Sequence, residues 1–204
     1  MTRRHDLKAR FDALAGIALA AFLLPALAAI AIAIRVEGWV TGDRGPVLAV
    51  EPRVSRGRPF RLLKFRTLRA GVLARAAGRS VKTFESPENR TRVGRFLADC
   101  YLAELPQILH VATGRMSLVG PRPFHPSDYE DELARGHELR RVLPAGLTGP
   151  FQVEKGTPGF RDRSLSLDRD YLEVYRSSSE GRLLAYDLRI LARTFRTVVR
   201  GGGW

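Results

Sequence analysis

The side chains able to do chemistry in this chain are, above all, cations. Lys and Arg number 34 against 21 Asp and Glu, giving a net charge of +13 and a pI near 11.0 over 204 residues. A chain so basic is expected to meet a polyanion: nucleic acid, anionic lipid or a phosphorylated substrate. Single placements narrow the chemistry. Arg122 stands between Pro121 and Pro123, which hold it stiffly. That suits phosphate positioning, although pairing with Glu130 or Asp131 would account for it equally. Arg95 and Asp99 are four apart and on a helix would form a surface ion pair worth roughly 0.2–0.5 kcal/mol. Glu104 is either a solvated helix carboxylate or a site residue, and Asp168 could simply pair with a nearby arginine. His110 reads as a packed histidine. The single cysteine, Cys100, cannot form an internal disulfide, and His5, His110, His125 and His137 are too scattered for a zinc cluster. These facts exclude a disulfide scaffold and a zinc finger. They leave nucleic acid and membrane open.

The elements that must position these residues settle that choice. Ala13 to Ile34 is a run of 22 residues without a charge. As a helix it would be about 33 Å long, enough for a bilayer core, and its insertion would gain roughly 3–6 kcal/mol before a proline penalty. Basic residues flank it on both sides: Arg3, Arg4, Lys8 and Arg10 before, Arg35, Arg44, Arg53, Arg56 and Arg58 after. The positive-inside rule places both flanks in the cytoplasm, which predicts a re-entrant helix broken at Pro25 in preference to a spanning one. Pro46–Glu51 and Phe60–Arg66, separated by the turn-rich 53–59 stretch, predict a β-hairpin. Residues 70–88 read as a mobile loop. Helical spacing of Val93, Phe96, Leu97 and Cys100 predicts a helix over 90–102, broken by Pro106, with a second short helix over 107–112. Ser127 and Glu130 form a capping box for a helix reaching about Arg141. Leu143–Val153 has room for a short strand, and Leu165–Tyr175 reads as helix. The last helix, about Arg182–Val199, carries an apolar stripe (Leu184, Leu188, Leu191, Phe195, Val198) and a basic one (Arg189, Arg193, Arg196, Arg200). It fits either a core-packed surface helix or one lying at an anionic membrane. The basic stretches carry no interleaved aromatics and no reader motif, so no nucleic-acid partner is expected.

Three motifs follow the apolar segment in order: Lys64-Phe-Arg66-Thr67, Glu104-Leu-Pro-Gln107 and Ser117-Leu-Val-Gly-Pro-Arg122-Pro123. Gly146-Leu-Thr-Gly149 with Gln152, and Leu167-Asp168 with Tyr171, come after them. In this order and spacing the chain resembles the bacterial sugar transferases, the monotopic phosphoglycosyl transferases, from about Arg10 to its C-terminus. The resemblance implies a helix-rich α+β fold with an N-terminal re-entrant membrane helix, a small β-hairpin and amphipathic interfacial helices. It divides the chain into a membrane-inserted part, 1–36, and a cytoplasmic transferase domain, 37–204, on the cytoplasmic face of the bacterial inner membrane. The implied reaction moves a phosphosugar from a UDP-sugar to polyprenyl phosphate and begins exopolysaccharide or glycoconjugate synthesis, with Mg²⁺ as cofactor. The implied partners are nucleotide sugar, polyprenyl phosphate and membrane lipids, and either a second copy or a partner transferase. By the same resemblance Glu104 is the expected Mg²⁺ ligand and Arg122 binds phosphate. Asp168 lies near metal or nucleotide, Lys64 and Arg66 face substrate, and Gln107 belongs to the Glu-Leu-Pro-Gln site motif.

The chain departs from the family at the reacting centre. The family's nucleophilic Asp precedes its Glu, and here that position is Ala103. The phosphate-binding Arg five residues earlier is Ala98, and the Asn after the Leu-Pro-Gln stretch is His110. An alanine methyl cannot attack phosphorus. Two accounts stand: a catalytically silent relative that binds the same substrates or regulates an active transferase, or a chain in which another carboxylate takes over. Asp99, four residues before Ala103, would share its helical face one turn away, a displacement of roughly 6 Å that argues against substitution.

Overall fold

The computed structural model describes residues 5–75, 84–154 and 160–199, the side chains of 160–165 and 198–199 excepted. Arg3, Arg4, Arg200, the Val198 side chain and residues 76–83 of the expected loop therefore lie outside the described residues. The fold is α+β and helix-rich, as expected. Its first element, α1 (Asp6–Thr41), is a single helix of 36 residues that continues through Pro25 without interruption. At about 1.5 Å per residue it is roughly 54 Å long, more than a bilayer core needs. Its apolar side chains are largely uncovered: Phe22 is 80% exposed, and Leu14, Leu24 and Ile32 are each more than half exposed. A surface of that kind calls for a non-aqueous surrounding.

The hairpin pairs β1 (Leu48–Ser55) with β2 (Arg58–Phe65). Its strands are longer than the sequence suggests, because the turn needs only Arg56 and Gly57. Both have positive φ, 49° and 70°, as a two-residue hairpin turn demands.

The chain forms two compact units. One comprises 20–51 and 61–107. Its core gathers Ile34, Phe65, Leu97 and Ala103, with Leu27, Ile30, Val93 and Leu102 packed around them. Here α2 (Ala70–Arg75) and a 3₁₀ turn (Pro87–Asn89) replace two parts of the expected loop. Helix α3 is Arg92–Asp99. Thr91 caps it by accepting from Gly94 N–H (2.9 Å), and the Glu37 carboxylate of α1 accepts from Arg92 and Val93 N–H (2.6 and 3.1 Å). The free N–H groups of the first turn thus bind α1 to α3. Gly94 is required by close approach: a Cβ there would stand 2.1 Å from the Thr67 carbonyl oxygen.

Helix α3 does not reach residue 102. Cys100 caps it and Tyr101 turns left-handed, with φ of 58°. A separate 3₁₀ helix, Leu102–Gln107, follows and contains Pro106, so the break lies five residues before the proline that was expected to cause it.

The other unit comprises 1–19, 52–60 and 108–204. After α4 (Ile108–Ala112), strand β3 (Ser117–Val119) pairs in parallel with β4 (Gly146–Thr148), Ser117 opposite Gly146 and Val119 opposite Thr148. Between them lie α5 (Pro126–Ala134) and α6 (Leu139–Val142). The single helix expected to reach Arg141 is therefore two. Its cap is His125, whose Nδ1 accepts from Ser127 N–H, and not Ser127 itself. Helices α7 (Pro150–Glu154), α8 (Phe160–Ser177) and α9 (Glu180–Val199) complete the unit, with α7 packed on both α8 and α9. Val111, Val119, Leu143, Tyr171 and Leu183 form its most buried layer.

Candidate functional site

The expected site residues fall into two groups, one in each unit. In the 20–51/61–107 unit, Ala103 and Glu104 occupy the second and third positions of the Leu102–Gln107 turn. Ala103 points inward: it is 8% exposed and part of the Ile34, Phe65 and Leu97 cluster. Glu104 is exposed and Gln107 is buried. The carboxylate is thus carried at the surface by a turn whose apolar side grips the C-terminal half of α1.

Asp99 is exposed at the end of α3. The left-handed Tyr101 removes the continuous helix that would have put Asp99 and Ala103 on one face. The one-turn relation expected between them does not exist. Arg95 donates to the Pro87 carbonyl oxygen (3.4 Å).

Lys64 is half-buried and pairs with Glu51 and, at 3.4 Å, with Glu85. Arg66 is 2% exposed. Its Nη1 donates to Asp43 Oδ2 (2.7 Å) and its Nη2 to the Asp43 carbonyl oxygen (3.3 Å), while Asp43 Oδ1 accepts from Ala70 N–H (2.8 Å). Arg66 thus ties the chain after α1 to the end of the hairpin.

In the other unit, Arg122 is exposed on the loop leaving β3, while Asp168 of α8 is enclosed. They are joined by a residue the sequence reading missed, Arg140 of α6. Its Nε donates to the Arg122 carbonyl oxygen (3.1 Å), its Nη2 to Asp168 Oδ2 (2.9 Å) and its Nη1 to Glu132, and it lies 3.5 Å over the Phe124 ring. Asp168 Oδ1 and Glu132 Oε2 are buried without a hydrogen-bond partner. Burial pushes the Asp168 carboxyl up to about 6, with the Glu132 charge adding to the rise and Arg140 opposing it. Asp168 therefore braces the Pro-Arg-Pro loop from below.

A second buried network was also missed. Lys8 of α1 donates to Asp187 of α9 (2.5 Å) and to the Val119 carbonyl oxygen (3.2 Å) and lies 3.3 Å from Asp12. Ser117 donates to Asp12 (2.5 Å), and Tyr171 donates to Asp187 (2.8 Å). Burial raises both the Asp187 carboxyl and the Tyr171 hydroxyl above their ordinary ranges. The available signal was Asp187, an acidic residue in an otherwise apolar helical phase. His110 is buried edge-on against Phe60, and burial lowers its titration, consistent with a packed histidine.

Among the described residues no three His, Cys, Asp or Glu side chains gather to hold a metal. Mg²⁺ commonly takes one or two carboxylates and fills its shell with water and substrate phosphates. The single exposed carboxylate of Glu104 fits that requirement.

Residues 3–201 match the family model for bacterial sugar transferases. The chain is 34% identical over 200 residues to a UDP-glucose:undecaprenyl-phosphate glucose-1-phosphate transferase of Caulobacter vibrioides, covering 93% of this chain and 68% of that protein. It is 32% identical over 179 residues to an undecaprenyl-phosphate glucose phosphotransferase of Komagataeibacter xylinus, covering 82% of this chain and 32% of that protein. It is 29% identical over 202 residues to a UDP-N-acetylgalactosamine-undecaprenyl-phosphate N-acetylgalactosaminephosphotransferase of Aeromonas hydrophila, covering 97% and 44%. The chain thus spans between about one third and two thirds of these relatives' lengths. With the family match running over nearly the whole sequence and the motif residues held on one turn and one strand-exit loop, the chain belongs to the bacterial sugar transferase family.

Proposed function

We propose that this chain transfers a phosphosugar from a UDP-sugar to undecaprenyl phosphate at the cytoplasmic face of the bacterial inner membrane, beginning a surface glycan. The observation that carries the reading is the placement of Glu104. It is an exposed carboxylate on a turn whose buried neighbour, Ala103, packs in one cluster with Ile34 of the apolar helix. A lipid-borne phosphate is reached only by a site held at the bilayer surface, and this turn is built onto the helix that would enter it. The basic flanks favour re-entrant insertion with both ends in the cytoplasm; since α1 is not broken at Pro25 as expected, it would have to bend there as a continuous helix.

Helix α9 supports the same placement. Its core-facing residues are Leu183, Asp187 and Ile190, one position before the stripe read from sequence. Of the stripe, Leu188 and Phe195 are exposed (Phe195 70%) and Leu184 and Leu191 half-buried, beside the exposed Arg189, Arg193 and Arg196. Exposed Leu188 and Phe195 flanked by arginines suit an anionic interface.

In this reading Arg122, aimed by Arg140, binds a substrate phosphate, and Lys64 contributes positive charge. Glu104 would hold Mg²⁺, which when bound offsets charge on the transferring phosphate. Position 103 offers no nucleophile, so transfer proceeds by direct attack. A lipid phosphate oxygen forms the new bond to the sugar-bearing phosphorus, and the bond from that phosphorus to the UMP oxygen breaks.

A second reading is favoured by the same alanine: a silent relative that binds these substrates without turnover. UMP release separates the two. The purified chain in detergent, given a UDP-sugar panel, undecaprenyl phosphate and Mg²⁺, is expected to release UMP, and Glu104→Gln to reduce the release on the order of 10²–10³-fold. Release by Ala103→Asp alone would overturn direct transfer and establish the silent relative. The carboxyl introduced by Ala103→Asp would sit in an apolar cluster and ionise late, so the assay is run to pH 8.5 as well as at neutrality.

A further inference from the structure

At the end of the apolar run, α1 and the loop after it enclose a small cavity of about 40 Å³, lined by Arg35, Gly38, Trp39, Arg44, Gly45 and Arg66 among others. Arg66 is fully buried, yet its Nε has no hydrogen-bond partner. A buried N–H left in that state is costly unless something else accepts from it. The glycines leave room around the guanidinium: a Cβ at Gly45 would stand 3.2 Å from Arg66 Nη1 and 3.3 Å from Cζ, and one at Gly38 would stand 3.7 Å from Nη2. Asp43 already pairs with Arg66, so the net positive charge of the site comes from the exposed Arg35 and Arg44. Trp39 is exposed beside them, one turn past the last residue of the apolar run. Exposed tryptophan and arginine at the end of an apolar helix are the residues that sit at headgroup depth.

We propose that this cavity binds the phosphate group of a membrane lipid, with Arg66 Nε donating from below and Arg35 and Arg44 closing over the remaining oxygens. The ligand is a lipid-borne phosphate because the cavity opens where the apolar run ends. It is not a nucleotide sugar, since about 40 Å³ admits phosphate oxygens and excludes a sugar or nucleoside. Such a contact would hold α1 at fixed depth through the residue that also organises the chain after it. The inference rests on the membrane placement of α1 and not on transfer chemistry.

The test reads lipid retention, not turnover. The full chain in an uncharged maltoside detergent is examined by native mass spectrometry with phosphatidylglycerol, undecaprenyl phosphate or diacylglycerol added. The phosphate-bearing lipids are expected to remain bound and diacylglycerol to be lost. Arg35→Gln with Arg44→Gln, both at exposed positions, should weaken phosphate-lipid retention at least about tenfold. Retention of phosphatidylglycerol assigns the site to a structural headgroup, and retention of undecaprenyl phosphate alone assigns it to that lipid; either supports the proposal. Equal retention of diacylglycerol, unchanged binding in the double variant, or the same loss from Arg58→Gln with Arg61→Gln on the hairpin would overturn it. Displacement by millimolar inorganic phosphate would overturn it too, by making the ligand a soluble ion.

Discussion

Charge is handled in opposite ways around Arg140 and Lys8 and in the segment that carries Asp99 and Glu104. In the unit containing α8 and α9, Arg140 is buried between Glu132 and Asp168, and Lys8 between Asp12 and Asp187. From the end of α3 to the Leu102–Gln107 turn, Asp99 and Glu104 lie in solvent, and the inward position between them is the methyl of Ala103. Buried ion pairs bring little net stability, because desolvation cancels most of the attraction, but they fix geometry. The first unit uses charge to hold Arg122 and the start of α1 in place. The segment from Asp99 to Glu104 leaves its two carboxylates hydrated, where an incoming cation can reach them, while the same unit pairs Glu51 with Lys64 and Asp43 with the buried Arg66.

The sharpest way to break this contrast is to remove the cation from a buried set. Arg140→Met leaves Glu132 and Asp168 uncompensated, and should lower unfolding stability by about 3–5 kcal/mol. Lys8→Met should do the same through Asp12 and Asp187. Thermal unfolding in detergent measures both, and a loss under about 1 kcal/mol would show that these pairs are not the fixed points inferred.

Next in size is the exposed side of the contrast. Glu104→Gln should cost on the order of 10²–10³-fold in UMP release, since the carboxylate acts on charge that develops during transfer. Stability should stay within about 0.5 kcal/mol of the parent, as for other surface substitutions. A large fall in melting temperature would mean that Glu104 holds the turn together, and would remove it from the site.

A titration sharpens the buried side. The folded-state carboxyl of Asp168 stands at about 6, raised from an ordinary 3.8 mainly by burial. The folded state therefore holds its proton where the unfolded chain has lost it. Its contribution to stability is full below about 3.8 and disappears as the pH rises through about 6, a change on the order of 3 kcal/mol. Melting temperature plotted from pH 4 to 7 should fall more steeply for the parent than for Asp168→Asn. Parallel curves would mean that Asp168 stays ionised throughout, and that Arg140 outweighs burial.

What could be read from the sequence was what depends on near neighbours. The apolar run gave α1, alternation and turn residues gave the hairpin, and the Gly/Pro-rich stretch gave β4. The missed features depend on partners distant in the chain. Arg140 and Asp168 are 28 residues apart and Lys8 and Asp187 are 179 apart, so no local period marks them. The phase of α9 was misjudged by one position because its buried face contains Asp187, which a hydrophobic count discards although Lys8 neutralises it. The break at Tyr101 escaped because a left-handed residue is expected to be Gly or Asn, and Tyr101 is neither. At the site, the exposure of Glu104 and the burial of Ala103 follow from the pitch of a 3₁₀ turn that begins only because of that break.

The smallest effect falls on Asp99, and its sign is informative. Asp99 ends α3, where the unpaired carbonyls already carry negative charge, and no basic residue stands in that last turn. Asp99→Asn removes a like charge from the helix terminus and should raise stability by about 0.3–1 kcal/mol. UMP release should not change, because the left-handed Tyr101 ends the helix that would have set Asp99 one turn from Ala103. The same substitution thus reads two properties at once. A small rise in melting temperature with unaltered turnover leaves Glu104 as the only carboxylate of this segment that acts on substrate. A hundredfold loss of release would instead mean that the carboxylate at position 99 reaches the reacting phosphorus despite the broken helix, and that the chain has moved its nucleophile and not lost it.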